Sequence, residues 1–384
     1  MKFHLLLTAA CLALFLQACN HPPNKKQILV PAPKPKPDTT AAIAKPAVVV
    51  NHDAISIAAV GDMMLGTSYP NDYTLPPDSA KNSFTVIADE LRNADVTFGN
   101  LEGSLLDGGN PAHYKLHQRS KAYLFRMPTA YAGVFKDAGF NLLSLANNHI
   151  GDFGDTGRMS TTRVLDSIGI NYGGLLSHPS TVFERNGIKY GFCAFAPNAN
   201  TLPILNLPNA TRIISELKQR CDIVIVSFHG GGEGVDYEHV PFAMESFISE
   251  KRGDVHAFAH NAIDAGADII LGNGPHVSRA MEVYKNRLIA YSLGNFCTYK
   301  SVGVSGVCGL APLLKVNLNK KGEFLNGRII SLRQAHDKGL GLDSLNRAAV
   351  RIKQLTEADF PDAGLIISDT GEISLNPVIQ SENL

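Results

Sequence analysis

Ile55-Ser56-Ile57-Ala58-Ala59-Val60-Gly61-Asp62 is a largely apolar run that breaks at a glycine and ends on a carboxylate. A run this short, closed by turn-forming residues, reads as a buried strand. The phrase recurs along the chain. Val96–Phe98 runs into Gly99-Asn100 and Glu102; Leu142–Leu145 runs into Asn147-Asn148-His149. Ile223–Phe228 ends at His229, and Ile269–Leu271 ends at Gly272-Asn273, with His276 three residues on. Helical spacing fills the gaps at Phe84–Arg92, Tyr131–Ala138, Thr161–Ile168, Ile213–Lys218 and Phe258–Ala265. Gly169 suits a helix C-terminal stop. Hairpins are expected around Asn186-Gly187 and Lys285-Asn286, and Val316–Leu318 and Arg328–Leu332 continue the strand pattern. The alternation predicts an α/β fold with sheets covered by helices. Residues 53–335 read as one domain, and 336–384 as a C-terminal extension of a helix and a short hairpin packing on it.

The informative feature is where the polar residues fall. In α/β folds ligands collect beyond the carboxyl ends of the strands. Five strand ends carrying Asp, Glu, Asn and His therefore predict one converging site. Each has a bland reading alone: Gly61-Asp62 and Asn147-Asn148 suit turns, His149 suits a satisfied buried histidine, and Gly230-Gly231-Gly232 suits a flexible loop. Their recurrence at strand ends favours the common site. Oxygen and imidazole donors in this mix suit Mn, Fe, Zn or Mg better than soft metals.

Several segments carry a resemblance. They are Gly61-Asp62-Met63-Met64-Leu65-Gly66, Gly99-Asn100-Leu101-Glu102, Leu145-Ala146-Asn147-Asn148-His149, Gly266-Ala267-Asp268, Pro275-His276-Val277 and Tyr291-Ser292-Leu293-Gly294-Asn295-Phe296. In this order, over roughly residues 55–300, they resemble the CapA family of poly-γ-glutamate capsule-biosynthesis proteins. The fold implied is that of the calcineurin-like metallophosphoesterases, a two-sheet sandwich flanked by helices. The resemblance implies a metal set of Asp62, Glu102, Asn148, His229 and His276, with His149 contacting phosphate and acting as general acid. Two positions depart from the phosphoesterase pattern. Met64 and Gly274 stand where histidines are expected, so each metal position loses an imidazole and one ion, or none, is left open. Implied partners are an anionic polymer or its synthesis machinery. A non-catalytic polymer-binding scaffold is the alternative.

Three further substrate-binding candidates come from the residues themselves. Arg126 could clamp a carboxylate or phosphate; a surface salt bridge is the alternative. Glu233, four after His229, could orient a ligand, and Asn295 could support the site from a strand end.

The chain has 384 residues, with 35 Lys+Arg against 35 Asp+Glu. This balance excludes a wholly basic nucleic-acid binder. The neutrality is a sum of unlike parts. Residues 20–52 hold five lysines against Asp38 alone, while the chain from residue 53 holds 29 basic and 34 acidic residues. Before them, Lys2 and the apolar run Leu5–Leu16 read as a signal peptide over residues 1–18, too short to span a bilayer. Ala18-Cys19 resembles a lipobox, with Cys19 the lipidation site. Residues 19–52 then form a Pro/Lys-rich tether in which each proline favours extended backbone. The expected location is the cell envelope, on the membrane by a lipid anchor. Cys193 and Cys221, beside apolar strands, read as buried free thiols.

Overall fold

A computed structural model describes residues 54–118, 123–336, 338–362 and 364–376. The signal peptide, the tether and Cys19 lie outside the described residues. Among those described, two large sheets form the fold. The nine-stranded sheet runs Leu365–Ile367, Glu372–Leu375, Phe324–Ala335, Leu310–Leu318, Ile55–Met63, Val96–Leu101, Leu142–Ser144, Asn171–Gly173, with Gly339–Leu342 also paired to Phe324–Ala335. The seven-stranded sheet runs Met281–Tyr284, Arg287–Ala290, Ile269–Asn273, Ile223–His229, Ile188–Ala196, Ser180–Arg185, with Leu202–Pro203 beside Ile188–Ala196.

Side-chain alternation explains the layering. Along the first strand Ile57 and Ala59 enter the apolar cluster between the sheets, while Ala58 and Val60 enter the cluster beneath the helices Tyr131–Ala138 and Gly154–Ile168. In the second sheet Ile223 and Ile225 face inward, and Val224 and Val226 face the helices Leu207–Lys218 and Val255–Asp264. Strands covered on both faces must be apolar on both, which is why these runs read as continuous. The result is a two-sheet α/β sandwich flanked by helices. Residues after 335 complete it: Glu372–Leu375 pairs with Phe324–Ala335, and the helix Arg347–Asp359 sends Ala349 and Ile352 between the sheets.

The central strands of each sheet are parallel, so their carboxyl ends gather on one side. There the sheets are stitched together. The Asp62 N–H donates to Gly294 O at 2.9 Å, and the Phe296 N–H donates to Asp62 O at 2.8 Å. A Cβ on Gly61 would lie 1.9 Å from Gly294 O, so only glycine permits this approach.

Some boundaries differ from the sequence expectation. The helix expected from Thr161 begins at Gly154, in a polar first turn with two glycines that carries no apolar period. The strand expected to stop at Phe98 continues to Leu101 through Gly99. Phe84–Arg92 is a 3-10 turn at Thr85–Ile87 followed by a five-residue helix. Cys193, Cys221, Cys297 and Cys308 are free thiols, and burial raises the Cys193 and Cys221 pKa values.

Candidate metal centre

Asp62 closes its strand with a fully buried carboxylate. Its Oδ1 accepts from Asn100 Nδ2 at 2.8 Å, and its Oδ2 lies 3.0 Å from His276 Nδ1. His276 sits just beyond the strand Ile269–Asn273 at φ 59°, a conformation a non-glycine residue rarely holds. Asn295 Oδ1 is also 3.0 Å from His276 Nδ1. Two oxygens thus face that nitrogen and turn Nε2 toward Glu102.

Glu102 is the hub. Its Oε1 lies 3.6 Å from His276 Nε2, 3.9 Å from His149 Nε2 and 4.0 Å from His229 Nε2. That oxygen is buried without a hydrogen-bond partner among the described residues, and so are His229 Nε2 and Asn148 Oδ1. Buried polar atoms are rarely left unpaired, and each one calls for an explanation. Donor atoms about 2.1 Å from one ion stand roughly 3–3.5 Å apart, close to the separations found. Asp62, Glu102 and His276 each bring one ligand atom within 4.8 Å of the others. The cluster therefore fits a divalent cation.

The electrostatics treat the two imidazoles differently. Burial pushes the Glu102 carboxyl well up, with His276 and Arg252 pulling it back and Asp62 adding to the rise. Burial first, then Arg252, His276 and His149, hold His229 well below its usual value, so it is neutral, as a ligand must be. Burial alone would lower His276, but Glu102 and Asp62 overcome it and raise the group to about 10, so without an ion it is protonated and must give up that proton to ligate.

Asn147, Asn148 and His149 divide the work. Asn147 Oδ1 accepts from the N–H groups of His149 and Ile150 at 3.1 and 2.9 Å, and its Nδ2 donates to Leu101 O at 2.9 Å. It folds the loop, which leaves the Asn148 amide oxygen free. His149 Nδ1 lies 2.8 Å from Asp152 Oδ2 and its ring packs 4.1 Å from Phe125. Asp152, fully buried, also accepts the Phe125 N–H at 2.8 Å and pairs with Lys115 Nζ at 2.7 Å.

Asp62, Glu102, His149, His229, His276 and Asn295 are thus joined by contacts of 4.0 Å or less, and Asn148 precedes His149 in the chain. Glu233 reaches the group through Arg252, 2.8 Å from its Nη2, and its charge raises both Glu102 and His276. Arg126 is turned to other work. It donates to Ser68 Oγ, Ser68 O and Gly109 O at 2.9, 2.7 and 2.8 Å and stacks over Tyr69 and Phe153. It ties loops together and makes no contact with the cluster among the described residues. Asp152, Lys115 and Arg252 escaped the sequence reading. Only Asp152 left a signal there, three residues after His149.

One of the two departures has a structural reason. Met64 is fully buried, but so is His229, and nothing in the structure explains the methionine. Gly274 has φ +115°, and a Cβ there would lie 2.7 Å from both Gly230 N and Gly230 O. A histidine at 274 would require the backbone to move.

The described residues thus form a two-sheet sandwich with carboxylates and imidazoles at its joined strand ends. The chain belongs to the bacterial capsule synthesis protein family PGA_cap, whose model matches residues 56–300. It is 32% identical over 262 residues to the PGA biosynthesis protein CapA of Bacillus subtilis, covering 64% of this chain and 63% of that one. It is 28% identical over 275 residues to the capsule biosynthesis protein CapA of Bacillus anthracis, covering 64% and 60%. The match therefore spans under two thirds of these relatives' length. Among solved structures, a 5'-nucleotidase precursor from Thermus thermophilus aligns with TM-score 0.41 and 15% identity, over 79% of this chain and 59% of that one. Among the described residues no helix is long and apolar enough to cross a membrane.

Proposed function

We propose that the chain is an envelope accessory protein in the synthesis or export of an anionic capsule polymer of the poly-γ-glutamate kind, and that Asp62, Glu102, Asn148, His229 and His276 hold one divalent ion. The carrying observation is Glu102 Oε1, buried, unbonded and faced by three imidazole nitrogens within 4.0 Å. A bound Mn, Fe, Zn or Mg ion supplies Lewis acidity and neutralises negative charge on a substrate. The protein's own groups do the rest. Asp152 fixes the His149 ring, and His149 presents Nε2 beside Glu102 as a proton donor to a leaving oxygen. Arg252 offsets the acidic charge of Glu102 and Glu233 and adds to the burial that keeps His229 neutral.

The test is elemental analysis of the stripped chain after metal titration, with polymer yield measured in cells. Wild type should take up an ion at this centre that Glu102→Gln does not. His149→Ala should hold the ion and lose polymer yield. Full yield from a metal-free Glu102→Gln protein would overturn the reading.

A scaffold reading has one observation in its favour: the backbone at Gly274 excludes the second imidazole of a two-metal centre. It predicts polymer binding that survives chelation. As for location, Cys19 as a lipid-bearing residue and the five tether lysines would hold the domain near anionic headgroups, each basic residue adding about 1 kcal/mol at most. Cys19→Ser should move the protein from the membrane fraction to the soluble one.

A further inference from the structure

A second group of donors lies away from the strand-end centre, on the helix-covered outer face of the seven-stranded sheet. His256 and His260 are four apart on the helix Val255–Asp264, so they share one face of it. Their rings lie 4.1 Å apart. Glu282 meets them from the edge strand Met281–Tyr284, with its two carboxylate oxygens 3.1 and 3.0 Å from His260 Nε2. One ligand atom from each of the three lies within 4.8 Å of the others. We propose that His256, His260 and Glu282 form a second divalent-cation site, of the zinc type.

Two imidazoles and one carboxylate are a donor set that suits zinc and its borderline neighbours better than Mg or Ca. The surroundings are built as metal surroundings are. Tyr291 Oη donates to Glu282 Oε2 at 2.8 Å and fixes that carboxylate. His260 is stacked on Tyr284 at 3.8 Å, and His256 packs 4.3 Å from Phe242. Such partners orient ligands and limit their motion. An ion pair between His260 and Glu282 accounts for two of the three residues and leaves His256 with ring packing alone, against Phe242, Tyr291 and Phe360. The His256 ring nitrogens are not among the buried unpaired atoms, so they are open to solvent or a ligand. Burial of His256 and the neighbouring His260 lower its pKa, which keeps a lone pair available. A cation held by the three would tie the helix Val255–Asp264 to the edge hairpin.

The site is read with the full chain, stripped of metal and titrated with Co(II) and Zn(II), counting bound ions by equilibrium dialysis and elemental analysis. The double variant His256→Gln/His260→Gln should bind one ion fewer than wild type. The strand-end variant Glu102→Gln should keep the second ion, so failure of one site is distinguishable from failure of the other. In the Glu102→Gln background, saturating zinc should raise the thermal midpoint, as any ligand specific to the folded state does. That rise should vanish when His260→Gln is added. The same ion count in wild type and the double variant overturns the proposal. So does a zinc-induced rise that persists without His260, a result that remains readable if the double variant folds poorly.

Discussion

Two buried acids at strand termini are treated in opposite ways. Just before the strand Ile269–Asn273, Asp268 is 1% exposed and saturated. It accepts from Lys218 Nζ at 2.7 Å, the Val224 N–H at 2.8 Å and Arg287 Nε at 3.2 Å. Just after the strand Val96–Leu101, Glu102 is equally buried, yet its Oε1 has no hydrogen bond and faces three imidazole nitrogens. Burial raises the pKa of both. What differs is the supply of donors. A saturated buried acid holds the fold together; an unsaturated one, ringed by further lone pairs, is a place kept for something else.

The largest effect should come from breaking the saturated end. Asp268→Ala leaves Lys218, Arg287 and the Val224 N–H without their acceptor. Removing one partner of a buried pair costs about 3–5 kcal/mol, and about 3 is expected here because Lys218 remains 34% exposed. Urea unfolding measures it, and a loss below 1 kcal/mol would break the contrast. Glu102→Gln should do the reverse. Metal affinity should fall at least about 100-fold, the upper end of what is seen even for residues behind the ligands. The stripped protein's unfolding free energy should change by less than about 1 kcal/mol, since no protein hydrogen bond to Oε1 is lost. A variant that binds metal normally would remove Glu102 from the centre.

The third prediction tests how the centre is held. Asp152→Asn should lower the polymer yield or turnover that depends on His149 about 10-fold, with metal content unchanged and the pH profile shifted. A structural role alone would lower protein stability without moving that profile. Asp152 also marks the limit of what the sequence discloses. The strand-end donors were legible because each stands where an apolar run stops, and the parallel sheets carry all such ends to one side. The hairpins were legible because Asn186-Gly187 and Lys285-Asn286 take the positive φ their turns demand. Arg126 was misleading: a lone arginine in a short motif does not disclose that Ser68 and Gly109 occupy it. His256, His260 and Glu282 were silent because the carboxylate arrives from a different element, 22 residues beyond His260. The orphaned oxygen of Glu102 has no trace in sequence at all, since it is defined by what does not reach it.

The smallest effect separates saturation from burial of the whole pair. Asp343 accepts from Arg347 Nε at 2.9 Å and Nη2 at 2.7 Å, and from the N–H groups of Leu345 and Arg347. Its carboxylate is covered, but the arginine is 43% exposed, so solvent screens the pair. The Arg347 hydrogen bonds hold the Asp343 pKa below the ordinary carboxylate value. An acid with a depressed folded-state pKa contributes stability that is present above its unfolded value of about 3.9 and is lost as pH falls through the folded one. Asp343→Asn should therefore cost about 0.5 kcal/mol at pH 6, the scale of an exposed helix pair. That difference from wild type should shrink as the pH is lowered below 3.9. A cost as large as that of Asp268→Ala would mean that the number of donors alone sets the stability of an acid in this fold. A small one assigns the difference between the two acids to the exposure of their partners.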